Sequence, residues 1–240
     1  MTATPMLLSF ALLLSLNPIE KFANNVLAPN FFSWFASSEA VAAMHQEHID
    51  SPTVRHMIKG SPLADAPDAA KIDFARSAGG KAVADFMALE QQNIGDWKVD
   101  RIVEAAGAGF NADASRQRLI DLVQSERIVV FSFIDCPWCL LAKERLNAIA
   151  SSESAPYLTQ AQLKVIELED LGREGKELRA AIALATGRTS MPSVWVDGKC
   201  VGGFTDGEMP RSSSLCMDDG RSPGLEELES SGRLRGLLER

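Results

Sequence analysis

Two of the four cysteines in this 240-residue chain are separated by only two residues. Cys136 and Cys139 form a Cys-Pro-Trp-Cys motif between a run of β-branched and aromatic residues and a segment of helical periodicity. In the first turn of a helix, backbone N–H groups without partners and the helix dipole stabilise an anion, here a thiolate. We therefore expect Cys136 to be the exposed attacking thiolate, and Cys139, one turn later and more buried, to be the resolving thiol.

A structural zinc site is the main alternative for a pair of cysteines with this spacing. Such a site needs further ligands, and Cys200 and Cys216 are too far apart in the sequence to form a second pair of the usual spacing. We therefore predict no metal centre. Cys200 is interpreted as a small buried thiol in a strand, and Cys216 as an incidental, exposed thiol in a loop.

Two further segments could contribute backbone groups to the same site. Met191-Pro192 precedes a predicted strand, where a cis proline would leave the Met191 backbone free to pair with a bound peptide; an ordinary edge proline is the alternative, and the more frequent one. After the following strand, Gly202-Gly203 permits close backbone approach. Thr205 or Asp206 could then open a helix whose N–H groups receive a carboxylate, the alternative being a simple turn.

The pattern after residue 126 predicts the elements that would position these groups. Strands are predicted at residues 127–134, 163–168, 194–196 and 199–201, and helices at residues 137–150, 174–186 and 225–238. Helical crossovers make the first strands parallel, whereas Asp197-Gly198 indicates a hairpin and so an antiparallel pair. The order β-α-β-α-β-β-α predicts an α/β domain.

The first 125 residues differ from this pattern. Residues 1–40 begin with an apolar run at residues 6–16 that is too short to span a bilayer but has the length of a signal-peptide core. A targeting segment of the plastid type and a frayed apolar N-terminus both remain open for this region. Residues 41–125 are interpreted as a linker followed by a helical extension that is not an independent catalytic domain.

Within this extension, helices are predicted at residues 71–92, 99–106 and 113–124, the first of them interrupted at Gly79-Gly80.

Composition narrows the possible functions. The chain has 24 Lys and Arg against 32 Asp and Glu, a net charge of -8, which argues against a nucleic-acid partner. Hydrophobic residues at 46% and charged residues at 23% are typical of a globular protein and exclude a polytopic membrane chain. We expect no stable membrane insertion. Four cysteines are too few for a disulfide-stapled secreted scaffold.

The combination of motifs resembles the glutaredoxin family. Over about residues 126–207, the Cys-Pro-Trp-Cys motif, Thr189-Ser190-Met191-Pro192, and Val201-Gly202-Gly203 with Asp206 occur in the family's order and at its intervals. The resemblance implies a thioredoxin-like fold, a four-stranded mixed sheet flanked by helices, over residues 126–240 with an inserted loop at 208–223. It also implies a glutathione-dependent thiol–disulfide oxidoreductase of the dithiol class, acting on protein disulfides and glutathionylated proteins.

The same resemblance implies roles for individual residues. Cys136 would attack a mixed disulfide and carry glutathione transiently, while Cys139 would resolve a protein disulfide. The backbone of Met191 would pair with the cysteine of glutathione, and Arg188 would meet its glycyl carboxylate. The glutathione-binding residues implied in this way are Arg188, Met191, Pro192, Gly203, Thr205 and Asp206.

Two residues depart from the pattern of the family. Phe133 stands where many members have a lysine, three residues before the first cysteine, and Asp135 places an anion directly beside that cysteine. Both changes disfavour the thiolate, and the missing cation would also have bound glutathione. We therefore expect weaker glutathione affinity than is usual in the family.

Two other functions are weighed against this one. A homodimer could carry a [2Fe-2S] cluster on Cys136 of each chain and two glutathiones, although Pro137 is uncommon in cluster-binding members. A thioredoxin-like enzyme could instead depend on a separate reductase, against which the Gly202-Gly203 turn argues. The expectation is a monomer, in the cytoplasm or a plastid, where the thiols have a supply of reductant.

Overall fold

The computed structural model describes residues 63, 65–152, 157–205, 214–217 and 224–239. The possible targeting segment at residues 1–40 and most of the loop predicted at residues 208–223 lie outside this part. The helices of the described part are α1 (Asp68–Arg76), α2 (Ala78–Ala105), α3 (Ala112–Val123), α4 (Pro137–Ala150), α5 (Arg173–Thr186), α6 (Gly224–Ser230) and α7 (Arg233–Leu238). The strands are β1 (Ile128–Ser132), β2 (Leu163–Glu167), β3 (Ser193–Val196) and β4 (Lys199–Gly202).

The four strands form one mixed sheet in the order β2-β1-β3-β4. Strands β1 and β2 are parallel, whereas β1–β3 and β3–β4 are antiparallel, as the helical crossovers and the hairpin predicted. Every residue of the central strand β1 is buried, which explains its unbroken run of apolar and β-branched residues. The predicted four-stranded mixed sheet flanked by helices is thus confirmed.

The core lies on both faces of this sheet. Trp195 of β3 is fully buried and meets Phe131 of β1 edge-to-face, with ring centroids 6.4 Å apart. The indole N–H of Trp195 donates to Ser193 Oγ at 2.9 Å, so this polar group has a partner inside the core. The sheet is therefore a rigid platform for the segments that leave its strand ends.

Helix boundaries within the sheet domain follow local signals. Helix α4 spans the predicted residues, and α5 ends at Gly187, whose φ of 74° is the left-handed conformation that favours glycine. The single helix predicted at residues 225–238 is instead two, because Gly232 has a φ of 72° and separates α6 from α7.

The helices of the extension differ from the prediction. The interruption lies at Ser77, whose hydroxyl accepts from Gly80 N–H at 3.1 Å and so caps the start of α2 before the two glycines. Helix α2 then continues through the gap predicted after residue 92, with a kink at Ile94, where φ is -130° and ψ is 17°. The segment predicted as two helices at residues 71–92 and 99–106 therefore does form two helices, α1 and α2. Their boundary lies at Ser77 and not in the predicted gap after residue 92.

The extension packs directly on the sheet domain. Helix α1 lies against α4, and α2 and α3 lie against α5. Exposed ion pairs join the same elements, Arg76 with Glu144 at 2.7 Å and Arg118 with Glu174 at 2.9 Å. Among the described residues, none of the helices combines the length and apolar character that crossing a membrane requires.

Candidate active site

The two cysteines of the motif lie where β1 gives way to α4. Cys136 is the N-cap residue of α4 and Pro137 occupies its first turn, where a missing N–H costs no hydrogen bond. The carbonyl of Cys136 accepts the first helical bond, from Leu140 N–H at 2.9 Å. The cysteine thus begins the helix whose N-terminus favours an anion.

The second thiol lies deeper in the protein. Cys139 is fully buried, and Phe133 N–H donates to its Sγ at 3.5 Å. Burial, together with a hydrogen bond to Cys136, raises the pKa of the Cys139 thiol well above its ordinary value. Cys139 therefore stays protonated at neutral pH, and its thiol hydrogen is available to its neighbour.

The Met191–Pro192 peptide bond is cis and lies opposite the motif. The thiol of Cys136 is 3.7 Å from the Met191 carbonyl oxygen, within hydrogen-bond range for sulfur. Met191 itself is 6% exposed. The end of β1 and the start of β3 thus bring together four residues of the predicted site: Cys136, Cys139, Met191 and Pro192.

Arg188 lies in the same loop but is buried at 2% exposure. Its Nη2 donates to Ser190 Oγ at 3.2 Å, and its backbone N–H donates to Thr186 Oγ1 at 3.1 Å. Its guanidinium also lowers the pKa of Cys200, although burial dominates and raises that pKa to about 11. The charge of Arg188 thus faces the protein interior in this conformation.

The residues that follow the Gly202-Gly203 turn are hydrogen-bonded to the start of α6. The carbonyls of Gly203 and Phe204 accept from Leu225 and Glu226 N–H at 2.9 and 3.0 Å. These two N–H groups at the start of α6 are therefore already paired. Thr205 is exposed, and Asp206 lies outside the described residues.

The chain is similar to known proteins in sequence. No family model matches the chain. A glutaredoxin of Vernicia fordii is 40% identical over 83 residues, which cover 35% of this chain and 69% of that protein. This chain belongs to the glutaredoxin family. It is accordingly a thiol oxidoreductase with a thioredoxin-like fold.

Two further similarities were found. The chloroplastic glutaredoxin-C4 of Oryza sativa subsp. japonica is 36% identical over 86 residues, which cover 36% of this glutaredoxin and 56% of the rice protein. The holo form of glutaredoxin C1 from Populus tremula x tremuloides has a TM-score of 0.39 and 26% identity, covering 53% of this chain and 89% of that one.

The expected exposure of Cys136 is wrong for this glutaredoxin, because only 2% of the residue is exposed. The N-terminal extension contacts the site from two sides. Phe74 of α1 meets Trp138 of the motif edge-to-face at 6.2 Å, while Gln91 of α2 bonds to the loop that precedes Met191. A prediction of exposure from the motif alone could not include these distant helices.

Gln91 uses both ends of its side-chain amide. Its Oε1 accepts from the N–H of Thr189 at 3.2 Å and from the hydroxyl of Thr189 at 2.7 Å. Its Nε2 donates to the Gly187 carbonyl at 2.9 Å. Helix α2 is thereby fastened to the loop between α5 and the cis proline.

Sequence reasoning also missed Lys71 of α1. Lys71 is 4% exposed, and its Nζ lies 2.8 Å from Asp135 Oδ1, next to Cys136. One signal in the sequence could have found it. Lys71 lies four residues before Ala75 and so on the same helix face, and a lysine within an apolar face needs a partner for its charge.

The two remaining cysteines of this glutaredoxin lie side by side. Cys200 is fully buried, as predicted, but Cys216 is also buried, at 3% exposure, rather than exposed in a loop. Cys200 and Cys216 form an isolated parallel bridge, in which Cys200 N–H donates to the Leu215 carbonyl at 2.7 Å. The pairing explains the burial, because residues 214–217 cover the outer edge of β4.

Proposed function

We propose that this glutaredoxin is a dithiol enzyme that uses glutathione to reduce protein disulfides and glutathione mixed disulfides. The observation that carries the proposal is the placement of Cys136 at the N-terminus of α4, facing the Met191 carbonyl, with Cys139 buried one turn later. A helix N-terminus favours the thiolate needed for attack.

Reduction of a glutathionylated protein follows in two exchanges. The Cys136 thiolate attacks the glutathione sulfur, the mixed disulfide breaks, and the substrate leaves as a thiolate that takes up a proton. A glutathione thiolate then attacks the glutathione sulfur of the Cys136 adduct, which releases oxidised glutathione and restores the Cys136 thiolate. The net reaction consumes one free glutathione, which leaves as oxidised glutathione together with the glutathionyl group taken from the substrate.

Reduction of a protein disulfide requires Cys139. After Cys136 forms a mixed disulfide with the substrate, the sulfur of Cys139 attacks Cys136 and expels the substrate thiolate. The raised pKa of Cys139 keeps it protonated until this step, so its proton is lost as the new disulfide forms. Two glutathiones then reduce the Cys136–Cys139 disulfide.

For glutathione itself, the proposed contacts remain those implied by the family pattern: Arg188, Met191, Pro192, Gly203, Thr205 and Asp206. The nearness of Cys136 to the Met191 carbonyl supports backbone pairing beside the reacting sulfur. The buried guanidinium of Arg188 would have to turn outward to reach a carboxylate. Weak glutathione affinity, already expected from Phe133 and Asp135, fits this requirement.

We assign the enzyme to the cytoplasm or a plastid and propose that it acts as a monomer. The chloroplastic name of the rice relative supports the plastid alternative. The reducing conditions of either compartment suit a dithiol centre.

The test is a glutathione-coupled reduction assay on the full chain, with a glutathionylated peptide and a protein disulfide as separate substrates. Cys136→Ser should lower both activities at least about a hundredfold, because the proposed nucleophile is lost. Cys139→Ser should keep the first activity and lose the second.

Cys200→Ser is the matched control, since Cys200 is a buried thiol outside the motif and should be dispensable for both activities. Full activity of Cys136→Ser would contradict the proposal. Activity of wild type with a thioredoxin-type reductase but none with glutathione would replace it with the reductase-linked function.

A further inference from the structure

The extension places a buried lysine beside the catalytic motif. The side chain of Lys71 is 5% exposed and that of Asp135 is 15% exposed, and their charged atoms are 2.8 Å apart. Lysine is almost never buried to this degree unless it is paired. The pair joins helix α1 to the residue that directly precedes Cys136.

Asp135 alone would hinder the reaction, because a carboxylate next to a sulfur disfavours the negative charge that attack requires. An ammonium group at 2.8 Å offsets that charge. We propose that Lys71 is a positioning residue of the thiol site, which cancels the charge of Asp135 and so keeps Cys136 reactive. The inference rests on the proposed role of Cys136 as the nucleophile.

Packing fixes the ammonium group in place. Phe74, three residues after Lys71, meets Trp138 edge-to-face, and Arg76 pairs with Glu144 further along α4. These contacts hold α1 along α4, so that Lys71 reaches the end of the helix at which Cys136 lies. The cation is therefore supplied by a segment far from the motif in sequence.

Other charged groups near the site have partners of their own or lie further out, although Lys143 also acts to lower the pKa of Cys139 against the larger effect of burial. Asp68 is 4.0 Å from Lys71 Nζ, but its side chain is 69% exposed and thus well solvated. On the side of β2, Lys143 pairs with Glu167 at 2.6 Å, and Glu169 accepts from Ile134 N–H at 2.6 Å. Cys139, directly adjacent, is kept neutral by burial.

The test measures how fast iodoacetamide alkylates Cys136 in the full chain, with the modified cysteine identified by mass spectrometry. Lys71→Met should slow alkylation at pH 7 by about tenfold, because it removes the cation that offsets the charge of Asp135. The difference between the two proteins should be largest near neutral pH and shrink at alkaline pH. A merely structural role of Lys71 would not produce this pH dependence.

Charge compensation provides the decisive comparison. Lys71→Arg should retain most of the wild-type rate, and Lys71→Met combined with Asp135→Asn should return to within about threefold of it. Lys81→Met, which removes an exposed lysine of α2 by the same chemical change, is the matched control and should leave the rate unchanged. A wild-type rate in Lys71→Met, or a double variant as slow as Lys71→Met, would overturn the proposal.

Folding can be separated from reactivity. If Lys71→Met fails to fold because the half-buried carboxylate of Asp135 loses its ion pair with Lys71, Asp135→Asn alone carries the test. This variant keeps the Lys71 ammonium and removes the carboxylate next to Cys136, so it should be alkylated faster than wild type at pH 7; an unchanged rate would refute the proposal. Since alkylation needs no glutathione, a wild type that is alkylated at Cys136 but does not turn over would refute the proposed function alone.

Discussion

Single residues of this glutaredoxin show how burial assigns different tasks to chemically identical groups. Cys136 lies at a helix N-terminus and faces a carbonyl, whereas Cys139 is enclosed and its pKa is raised well above the ordinary range. Cys200 is a third case, since its thiol is enclosed by the sheet and by residues 214–217. This difference supports the proposed roles of Cys136 as nucleophile and Cys139 as resolving thiol, whereas Cys200 is a core residue.

The buried thiol of Cys200 predicts a loss of stability at alkaline pH. Burial raises its pKa to about 11, whereas the thiol of the unfolded chain ionises near about 8.5. Between these values the unfolded chain loses its proton first, so the free energy of unfolding falls as pH rises. The difference between the pKa values of Cys200 in the folded and unfolded chain corresponds to about 3 kcal/mol in the free energy of unfolding.

Chemical denaturation under reducing conditions at pH 8 and pH 11 checks this prediction. Cys200→Ala lacks the ionisable group, so its stability should decline less than that of wild type over the interval. Comparing the two proteins removes the contribution of all other groups that titrate there. Parallel declines would show that Cys200 is hydrated enough to ionise in the folded state.

At the scale of helices and strands, most elements of the sheet domain could be predicted from local signals in the sequence. The unbroken apolar run of β1, the glycine that ends α5 and the Asp197-Gly198 hairpin can all be read without knowing their neighbours. The boundary between α1 and α2 could not be predicted in this way, because two consecutive glycines such as Gly79-Gly80 are compatible with two different structures. Glycines usually interrupt a helix, but here they lie in the first turn of α2, where two helices approach closely.

The close approach at Gly80 predicts a sharp difference between the two glycines. A Cβ at Gly80 would overlap the carbonyl oxygen of Phe74, whereas a Cβ at Gly79 would meet its nearest atom, Ser77 Oγ, at 3.5 Å, an ordinary contact. Gly80→Ala should therefore lower the free energy of unfolding by about 1–3 kcal/mol, the cost of overpacking.

Gly79→Ala is the matched control. It should be neutral or stabilise the protein by up to about 1 kcal/mol, because alanine favours a helix over glycine. Urea denaturation followed by circular dichroism measures both variants. Equal stabilities of the two variants would mean that α1 and α2 do not pack as closely as described.

At the scale of the whole molecule, the extension and the sheet domain form one site. The motif and the thioredoxin-like sheet could be anticipated from residues 126–240 because their signals are local. The cis form of Pro192 could not, since an ordinary edge proline is the more frequent case. The burial of Cys136 and the roles of Lys71 and Gln91 could not, because they depend on contacts between residues more than 60 positions apart. The periodicity of an amphipathic helix shows which of its faces is apolar, but not which surface of the protein that face will contact.

The cover over Cys136 predicts that access to the thiol is controlled by Gln91. Its side chain makes three hydrogen bonds to Gly187 and Thr189, in the loop that leads to Met191, whose carbonyl faces the Cys136 thiol. Because only 2% of Cys136 is exposed, we expect a bulky disulfide to reach the thiol only when this loop moves. Gln91→Ala removes these bonds at a cost to the closed arrangement of about 1 kcal/mol or more. The rate of Cys136 with a bulky aromatic disulfide should then rise by roughly fivefold or more.

Gln92→Ala offers a matched control, since the neighbouring Gln92 is exposed on the same helix and should leave the rate unchanged. Iodoacetamide, which is much smaller, should show a weaker effect of Gln91→Ala, because it needs a smaller opening. If both reagents responded equally, Gln91 would act on the reactivity of the thiol rather than on its access. If neither responded, the contact between α2 and the loop before Met191 would not limit entry, and a different part of the extension would have to cover the thiol.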